Sequence, residues 1–461
     1  MKIFVLNTPE ETMLVSRDMA GGLGFDRNQA MVLPPLDLLT FATVLGQAGH
    51  QVRFCDAQTQ GASASQLTTT IAEFAPDALI LSASLPSLSS DAAYAKKLRD
   101  SLGKRCRVLI KTSIAHPPAL EQLCQQSACD LVITGECDLV IEALIFGHST
   151  AGTARLEGGE LRLEPETPLR DLDRLPILQR SLLDSAAYRY ARLGAGVTTM
   201  QTSRGCPFPC GYYCPYPLVQ GKKWRAMSAR RVLDELEQIA RNDHIEKVLF
   251  RDAVFTLNKR RTAEICAGII ERGIALTWWC ETRVDCLDPP LLDQMRAAGC
   301  AGINIGIESG AEWMLSGAAH KDLSRAEIVE LAHHCKTRGI RLHLLLLAGL
   351  PGEDRRSLHQ TFTLIDQTKP ESIGITTATP YPGTQLFDDA VAQNWIVRPE
   401  FDSFGGHGYN LQLETIAHTE LKWAIEMMHT LCRANNDGAP QQRLDELRRQ
   451  FADWSDAGEQ R

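Results

Sequence analysis

The sequence predicts a doubly wound α/β domain, then a partial (β/α)6 barrel, then a C-terminal helical extension. Three observations carry this. Residues 1–150 alternate short apolar runs with amphipathic ones, the same rhythm resumes at residue 197 and repeats six times, and residues 391–461 hold only two polar helical patterns. Strand, helix, strand in succession makes a parallel sheet with helices packed on both faces. The 461 residues, at about 150 residues per domain, suggest roughly three domains and ample material for a buried core. The boundaries fall at 1–150 for the first domain, 151–195 for a linker, 196–390 for the barrel and 391–461 for the helical region.

Lys2–Asn7 reads as the first strand and Val52–Cys55 as the second. Between them Leu36–Ala48 spaces its apolar residues at i, i+3, i+4 and i+7 and stops at Gly49, as a helix does. Ala78–Ser82, Val108–Lys111 and Leu131–Thr134 are further strands, separated by helical patterns at Ala92–Ser101 and Pro118–Gln126. The linker opens on a hairpin pattern about Gly158-Gly159. The barrel strands are Val197–Thr202, Lys247–Phe250, Leu276–Cys280, Gly302–Ile307, Arg341–Leu347 and Ser372–Thr377. Helical patterns follow them, such as Ala229–Arg241, Arg260–Arg272 and Arg325–Arg338. In such barrels functional groups collect at the carboxyl ends of the strands. Residues 391–461, with the closing helical patterns Thr419–Ala434 and Pro440–Trp454, are expected to cover the barrel mouth.

Composition narrows the class. With 44% hydrophobic and 23% charged residues the chain is neither disordered nor collagen-like. Its most apolar run, Leu342–Leu350, is strand-length and contains His343, so no integral membrane segment is expected. The opening MKIFVLNTPEETM lacks the apolar stretch of a secretory signal, from which cytoplasmic residence is expected. A net charge of −8 leaves no basic footprint for nucleic acid.

Fourteen cysteines remain to be explained, and three stand together as Cys206, Cys210 and Cys214 in TSRGCPFPCGYYCPYP, directly after the first barrel strand. The others, such as Cys266, Cys300 and Cys335, fall in helical or apolar stretches and read as small buried hydrophobes. A structural zinc wants four closed ligands, whereas three thiolates on a tight loop hold a cubane with one iron open to a small molecule. Zinc with a remote fourth ligand and a purely structural loop are the alternatives. Prolines 207, 209, 215 and 217 stiffen the loop by fixing φ.

The loop, the six-unit barrel behind it, and RDAVFT, ETRVD, GIESG and GLPGE at successive strand ends resemble the radical S-adenosylmethionine (SAM) enzymes, over roughly 196–390. The domain ahead, with PPLDLLTFATVLGQAGHQVRFCDA at 34–57 and GECD at 135–138, resembles the Rossmann-like cobalamin-binding domain fused to many radical SAM methyltransferases and cyclases. One departure stands out. The usual spacing is C-x3-C-x2-C, and Tyr212-Tyr213 lengthens the second interval here to C-x3-C-x3-C.

The resemblance implies that Cys206, Cys210 and Cys214 ligate a [4Fe-4S] cluster, with SAM on its open iron and Tyr213 near the adenine. Asp252, Glu281, Arg283, Glu308 and Ser309 would meet the methionine and ribose parts of SAM, Arg283 suiting the carboxylate. Gly349 and Gly352 would let the backbone approach the ligand. The blander readings are that Glu281 pairs with Arg283, that Asp252 caps a helix and that Arg225 only packs. Ser82, Ser84, Gly135 and Glu136 would line the cobalamin, although Lys111-Thr112 stands where paired glycines are usual. Asp56-Ala-Gln58 echoes a cobalt-ligating D-x-H but follows the wrong strand, so no histidine on cobalt is expected.

The implied activity is reductive cleavage of SAM to a 5′-deoxyadenosyl radical and C-methylation of an unactivated carbon of a small-molecule substrate. Electrons would come from reduced flavodoxin or ferredoxin. A radical SAM cyclase without methyl transfer shares this architecture, and a loop unable to hold iron would leave a non-catalytic binding protein. A methylthiotransferase needs three further early cysteines, and Cys55 alone precedes Cys106.

Overall fold

The computed structural model describes residues 1–17, 23–25, 31–241, 245–406 and 408–457. It divides into two compact units. The first holds Met1–Cys206, Pro215–Lys247 and Glu400–Gly405; the second holds Pro207–Cys214, Val248–Pro399 and Gly406–Arg461.

The first unit is built on a seven-stranded sheet. In spatial order its strands are Glu160–Glu164, Thr153–Glu157, Leu131–Ile133, Arg107–Thr112, Ala78–Ala83, Lys2–Asn7 and Gln51–Asp56. The last five are parallel to one another. After Lys2 the first strand is buried throughout, because both faces are covered. Ile3 and Val5 pack with Leu38 and Phe41 of helix Leu36–Gln47 and with Ile141 and Leu144. Phe4, on the opposite face, meets the ring of Phe74 at 5.7 Å. Phe74 closes helix Ala64–Phe74, which the sequence reading did not place. The hairpin about Gly158-Gly159, read as the start of a linker, instead pairs antiparallel onto Leu131–Ile133 and extends the sheet.

This strand order reverses between Lys2–Asn7 and Ala78–Ala83, and open α/β sheets bind ligands outside the carboxyl ends at such a point. Gln58, whose position echoed a cobalt ligand, donates to the Val15 carbonyl and accepts from the Val15 N–H. Asp56 beside it caps the short helix Ala57–Gln60 and accepts from Asn7 and Tyr188. The echo is therefore structural.

All six predicted barrel strands exist. Val197–Met200 falls in the first unit. In the second, Thr277–Thr282, Cys300–Glu308, Arg341–Ala348 and Ser372–Thr377 run parallel in chain order. The helices His418–Asn436 and Gln441–Asp456 pack on the outer helix Arg355–Thr368, and Leu421 of the first also stands against Gly349, just past strand Arg341–Ala348. Phe451 stacks on Phe362 at 4.2 Å, and Arg448 pairs with Asp366 at 2.8 Å. The stretch before these helices also reaches the strand ends, where Thr377 donates its N–H to Gly406 and its hydroxyl to Gly408.

Candidate active site: the cysteine loop and the strand ends

Cys206 lies in the first unit and is buried, its N–H donated to the Gly221 carbonyl at 3.0 Å. Gly205 before it has φ +88°, and a Cβ there would stand 2.2 Å from the Lys223 carbonyl oxygen, so only glycine fits.

Cys210 and Cys214 belong to the second unit. Pro209–Tyr212 forms a single helical turn, and the Cys210 carbonyl accepts from the N–H groups of Tyr213 and Cys214. A four-residue step places side chains on one side of a turn, and the two thiols are hydrogen-bonded to each other. The lengthened interval is thus absorbed as one full turn. The Cys214 hydrogen bond lowers the Cys210 thiol to about 7 against the effect of burial, with Lys321 and Arg283 helping. Thiolate is the form that binds metal. Among the described residues, no three Cys, His, Asp or Glu side chains stand together as donors for one metal ion. A cubane takes one thiolate per iron, so its donors need not converge on a point.

The strand ends supply the rest. Arg283 lies 3.7 Å over the ring of Phe208, the loop residue between two prolines. Its Nε and Nη2 donate to Asp285 at 2.9 and 2.8 Å, while Nη1 is buried with no partner. An unpaired guanidinium N–H beside a thiolate is what a carboxylate ligand would satisfy. Glu281 does not pair with Arg283; it takes Arg251 at 2.5 Å and the amide of Asn304 at 3.3 Å. Two residues along a strand put both side chains on one face, but each finds a closer partner elsewhere. Asp252 is fully buried and caps no helix, because the next helix, Lys259–Glu271, is capped by Asn258.

Glu308 has φ +70° at a register shift in its strand. The buried Lys321 holds it, with Nζ 2.5 Å from the carboxylate and 2.6 Å from the Gly306 carbonyl. Burial first, then the Glu308 charge, keep the Tyr213 phenol well above its ordinary value, and that hydroxyl donates to Glu308. Ser309 faces inward: its hydroxyl accepts from the Ala311 N–H and meets Thr361 at 3.3 Å. It closes the turn onto helix Arg355–Thr368. Lys321, Arg251 and Phe208 escaped the sequence reading, since nothing in local spacing ties Lys321 to Glu308 or Arg251 to Glu281.

In GLPGE, the Gly349 N–H donates to the buried Glu353 carboxylate. Burial pushes that carboxyl up from 4.5 to about 8 despite this bond. The folded chain thus keeps a proton that the unfolded chain loses near 4.5, and stability falls as pH rises from there to about 8. Glu353→Gln is expected to remove a slope of about 1.4 kcal/mol per pH unit inside that window. Urea unfolding of both proteins at two pH values within it checks this, and identical slopes would refute it.

In the first unit a shallow cleft opens at the carboxyl ends beside the order reversal, lined by Arg17, Asp37, Ser82, Lys111, Thr112 and Ser113 among others. Of the residues assigned to cobalamin, Ser82 lines it; Ser84, Gly135 and Glu136 do not. Ser84 is buried against Ser87. Lys111 turns its ammonium onto the Gly135 carbonyl at 3.1 Å, becoming a wall of the cleft. Pro35, Leu36, Leu38 and Ala83 line it as well, and its two cations are paired, Arg17 with Asp91 at 2.6 Å and Lys111 with Asp37 at 3.8 Å.

Residues 200–365 match the family model of the Radical SAM superfamily. The chain carries a radical SAM domain. Beyond it, the chain is 28% identical to an uncharacterized methyltransferase of Pyrococcus horikoshii, over 86% of this chain and 84% of that one. It is 25% identical to the anaerobic magnesium-protoporphyrin IX monomethyl ester cyclase of Cereibacter sphaeroides, over 77% of this chain and 60% of the cyclase. The radical SAM methyltransferase TsrM of Kitasatospora setae, solved with cobalamin and a [4Fe-4S] cluster, superposes with a TM-score of 0.65 at 16% identity. That match covers 86% of this chain and 76% of TsrM, and shows that the two share a fold. The cysteine turn, Arg283 and Glu308 all lie inside the radical SAM domain.

Proposed function

We propose that this radical SAM enzyme is cobalamin-dependent and methylates an unactivated carbon of a small-molecule metabolite. The observation that carries the reading is the pairing of a low-pKa Cys210 with the unpartnered Nη1 of Arg283, a metal donor beside an anion socket. Cys206, Cys210 and Cys214 would hold the [4Fe-4S] cluster, Arg283 the SAM carboxylate, and Glu308 the amino or ribose groups. When bound, the cluster with SAM supplies a carbon-radical oxidant, and cobalamin supplies a transferable methyl group.

The chain's own residues position and shield. Lys321 and Tyr213 fix Glu308 from two sides. Tyr212 and Tyr213 pack on the apolar cluster of Met314, Leu347, Leu350 and Leu386, which keeps water from the loop. Reduced flavodoxin or ferredoxin is the proposed donor, in a reducing cytoplasm that suits an oxygen-labile cluster.

A second reading, a cyclase without methyl transfer, is favoured by the likeness to the magnesium-protoporphyrin cyclase. One experiment separates them without knowledge of the substrate. The anaerobic protein, loaded with hydroxocobalamin and reduced by flavodoxin, is given methyl-labelled SAM. Label on the protein-bound cobalamin is expected; label confined to SAM and methionine refutes methyl transfer.

A further inference from the structure

The cysteine loop springs from a two-residue ribbon in which Ser203–Arg204 pairs antiparallel with Arg225–Ala226. Both arginines of this ribbon are turned onto the acids of GECD, at the end of strand Leu131–Ile133. Arg225 grips Glu136 with two N–H groups, at 2.7 and 2.6 Å, and donates also to the carbonyls of Leu169 and Gln220. Arg204 grips Asp138 at 2.6 and 3.3 Å and reaches Glu136 at 3.3 Å. All four side chains are less than a tenth exposed. Two cations and two anions cancel, with paired guanidinium geometry on each carboxylate. Burial opposes the charge on Asp138, yet Arg204 holds its carboxyl below the ordinary range.

The other polar groups of this turn are also engaged within the chain. The Glu136 N–H donates to the Glu166 carboxylate, and the Gly135 carbonyl accepts from Lys111. Neither Gly135 nor Glu136 lines the cleft at the sheet's order reversal.

We propose that the GECD turn is a clamp on the root of the cysteine loop, with Glu136 and Asp138 as positioning residues for Cys206 rather than contacts of cobalamin. The proposal rests on the reading of the three cysteines as cluster ligands. Cys206 follows Arg204 by two residues, and its N–H is tied to Gly221, four residues before Arg225. Loosening either arginine therefore frees both strands at the foot of the loop. A ligand set works only when its supports lock it in place. Removing one partner of a buried ion pair leaves an uncompensated charge, so the ribbon is expected to open rather than adjust.

The test uses the full-length, anaerobically purified protein and the variants Glu136→Gln, Asp138→Asn and Glu136→Asp. Three quantities are read: the rate of iron release to a ferrous chelator, retention of hydroxocobalamin, and the alkylation rate of Cys206 in cluster-free protein. Glu136→Gln and Asp138→Asn are expected to speed iron release about tenfold. They should expose Cys206 to alkylation and leave hydroxocobalamin retention unchanged, while Glu136→Asp restores most of the lost protection. Unchanged Cys206 alkylation overturns the clamp, as does a loss of hydroxocobalamin with iron release unaffected. Should the wild-type protein take up no cluster, the reading of the cysteines fails, and the alkylation rate still decides the clamp.

Discussion

Cys210→Ala is expected to abolish SAM cleavage while leaving the fold in place. The backbone turn at this position is made by main-chain groups, the Cys210 carbonyl accepting from Tyr213 and Cys214, with Pro209 setting φ. None of these needs the sulfur. What the sulfur supplies is a thiolate near neutral pH, because Cys214, Lys321 and Arg283 together lower it to about 7 against burial. Other cysteines lie where burial pushes the thiol up, Cys335 to about 12. Cys335→Ala is therefore the matched control, expected to keep its iron. For Cys210→Ala, 5′-deoxyadenosine formation should fall by about a thousandfold, equivalent to about 4 kcal/mol of barrier. Iron content after anaerobic reconstitution, SAM cleavage and the unfolding midpoint are measured together. Retained cleavage in Cys210→Ala, or iron loss in Cys335→Ala, would break the assignment of the cysteine loop.

The parallel strands were legible because strands buried on both faces read as near-continuous apolar runs, as Ala78–Leu81 does. Lys2–Asn7, Lys247–Phe250 and Ser372–Thr377 match the expected ends. Helix Ala64–Phe74 was not legible by periodicity, since it buries only Leu67 and Ile71. Its capping box, Ser63 with Gln66, was the available sign. The edge hairpin alternates charges such as Arg155, Glu157 and Glu160, which reads as a solvated loop and masks its pairing. Within the site, spacing brought out the cysteines and the strand-end acids. Their partners were hidden, because Glu281 is neutralised by Arg251 from another strand end and Glu136 by an arginine of the ribbon. Long-range ion pairing leaves no local pattern for a sequence reading to follow.

Arg283→Lys keeps a charge at the strand end but is expected to raise the KM for SAM by about 30- to 100-fold, the value of one charged hydrogen bond of about 2–3 kcal/mol. Arginine here does three things at once. It stacks on Phe208, it pairs with Asp285 through Nε and Nη2, and it presents Nη1 to a buried space with no partner. Lysine has a compact ammonium that can satisfy Asp285 or the incoming carboxylate, not both in this geometry. A buried N–H without an acceptor is a standing cost, so the native protein gains when an anion arrives, and the variant has no such gain. The split between constants is informative. The carboxylate is remote from the bond that breaks, so KM should carry the change and kcat should move little. Asp285→Asn provides the opposite perturbation, since its amide keeps one acceptor, frees one more guanidinium N–H and leaves the cation. A KM for SAM unchanged in Arg283→Lys would show that the socket beside Cys210 takes some other anion, and the methionine end of SAM would then need a different holder.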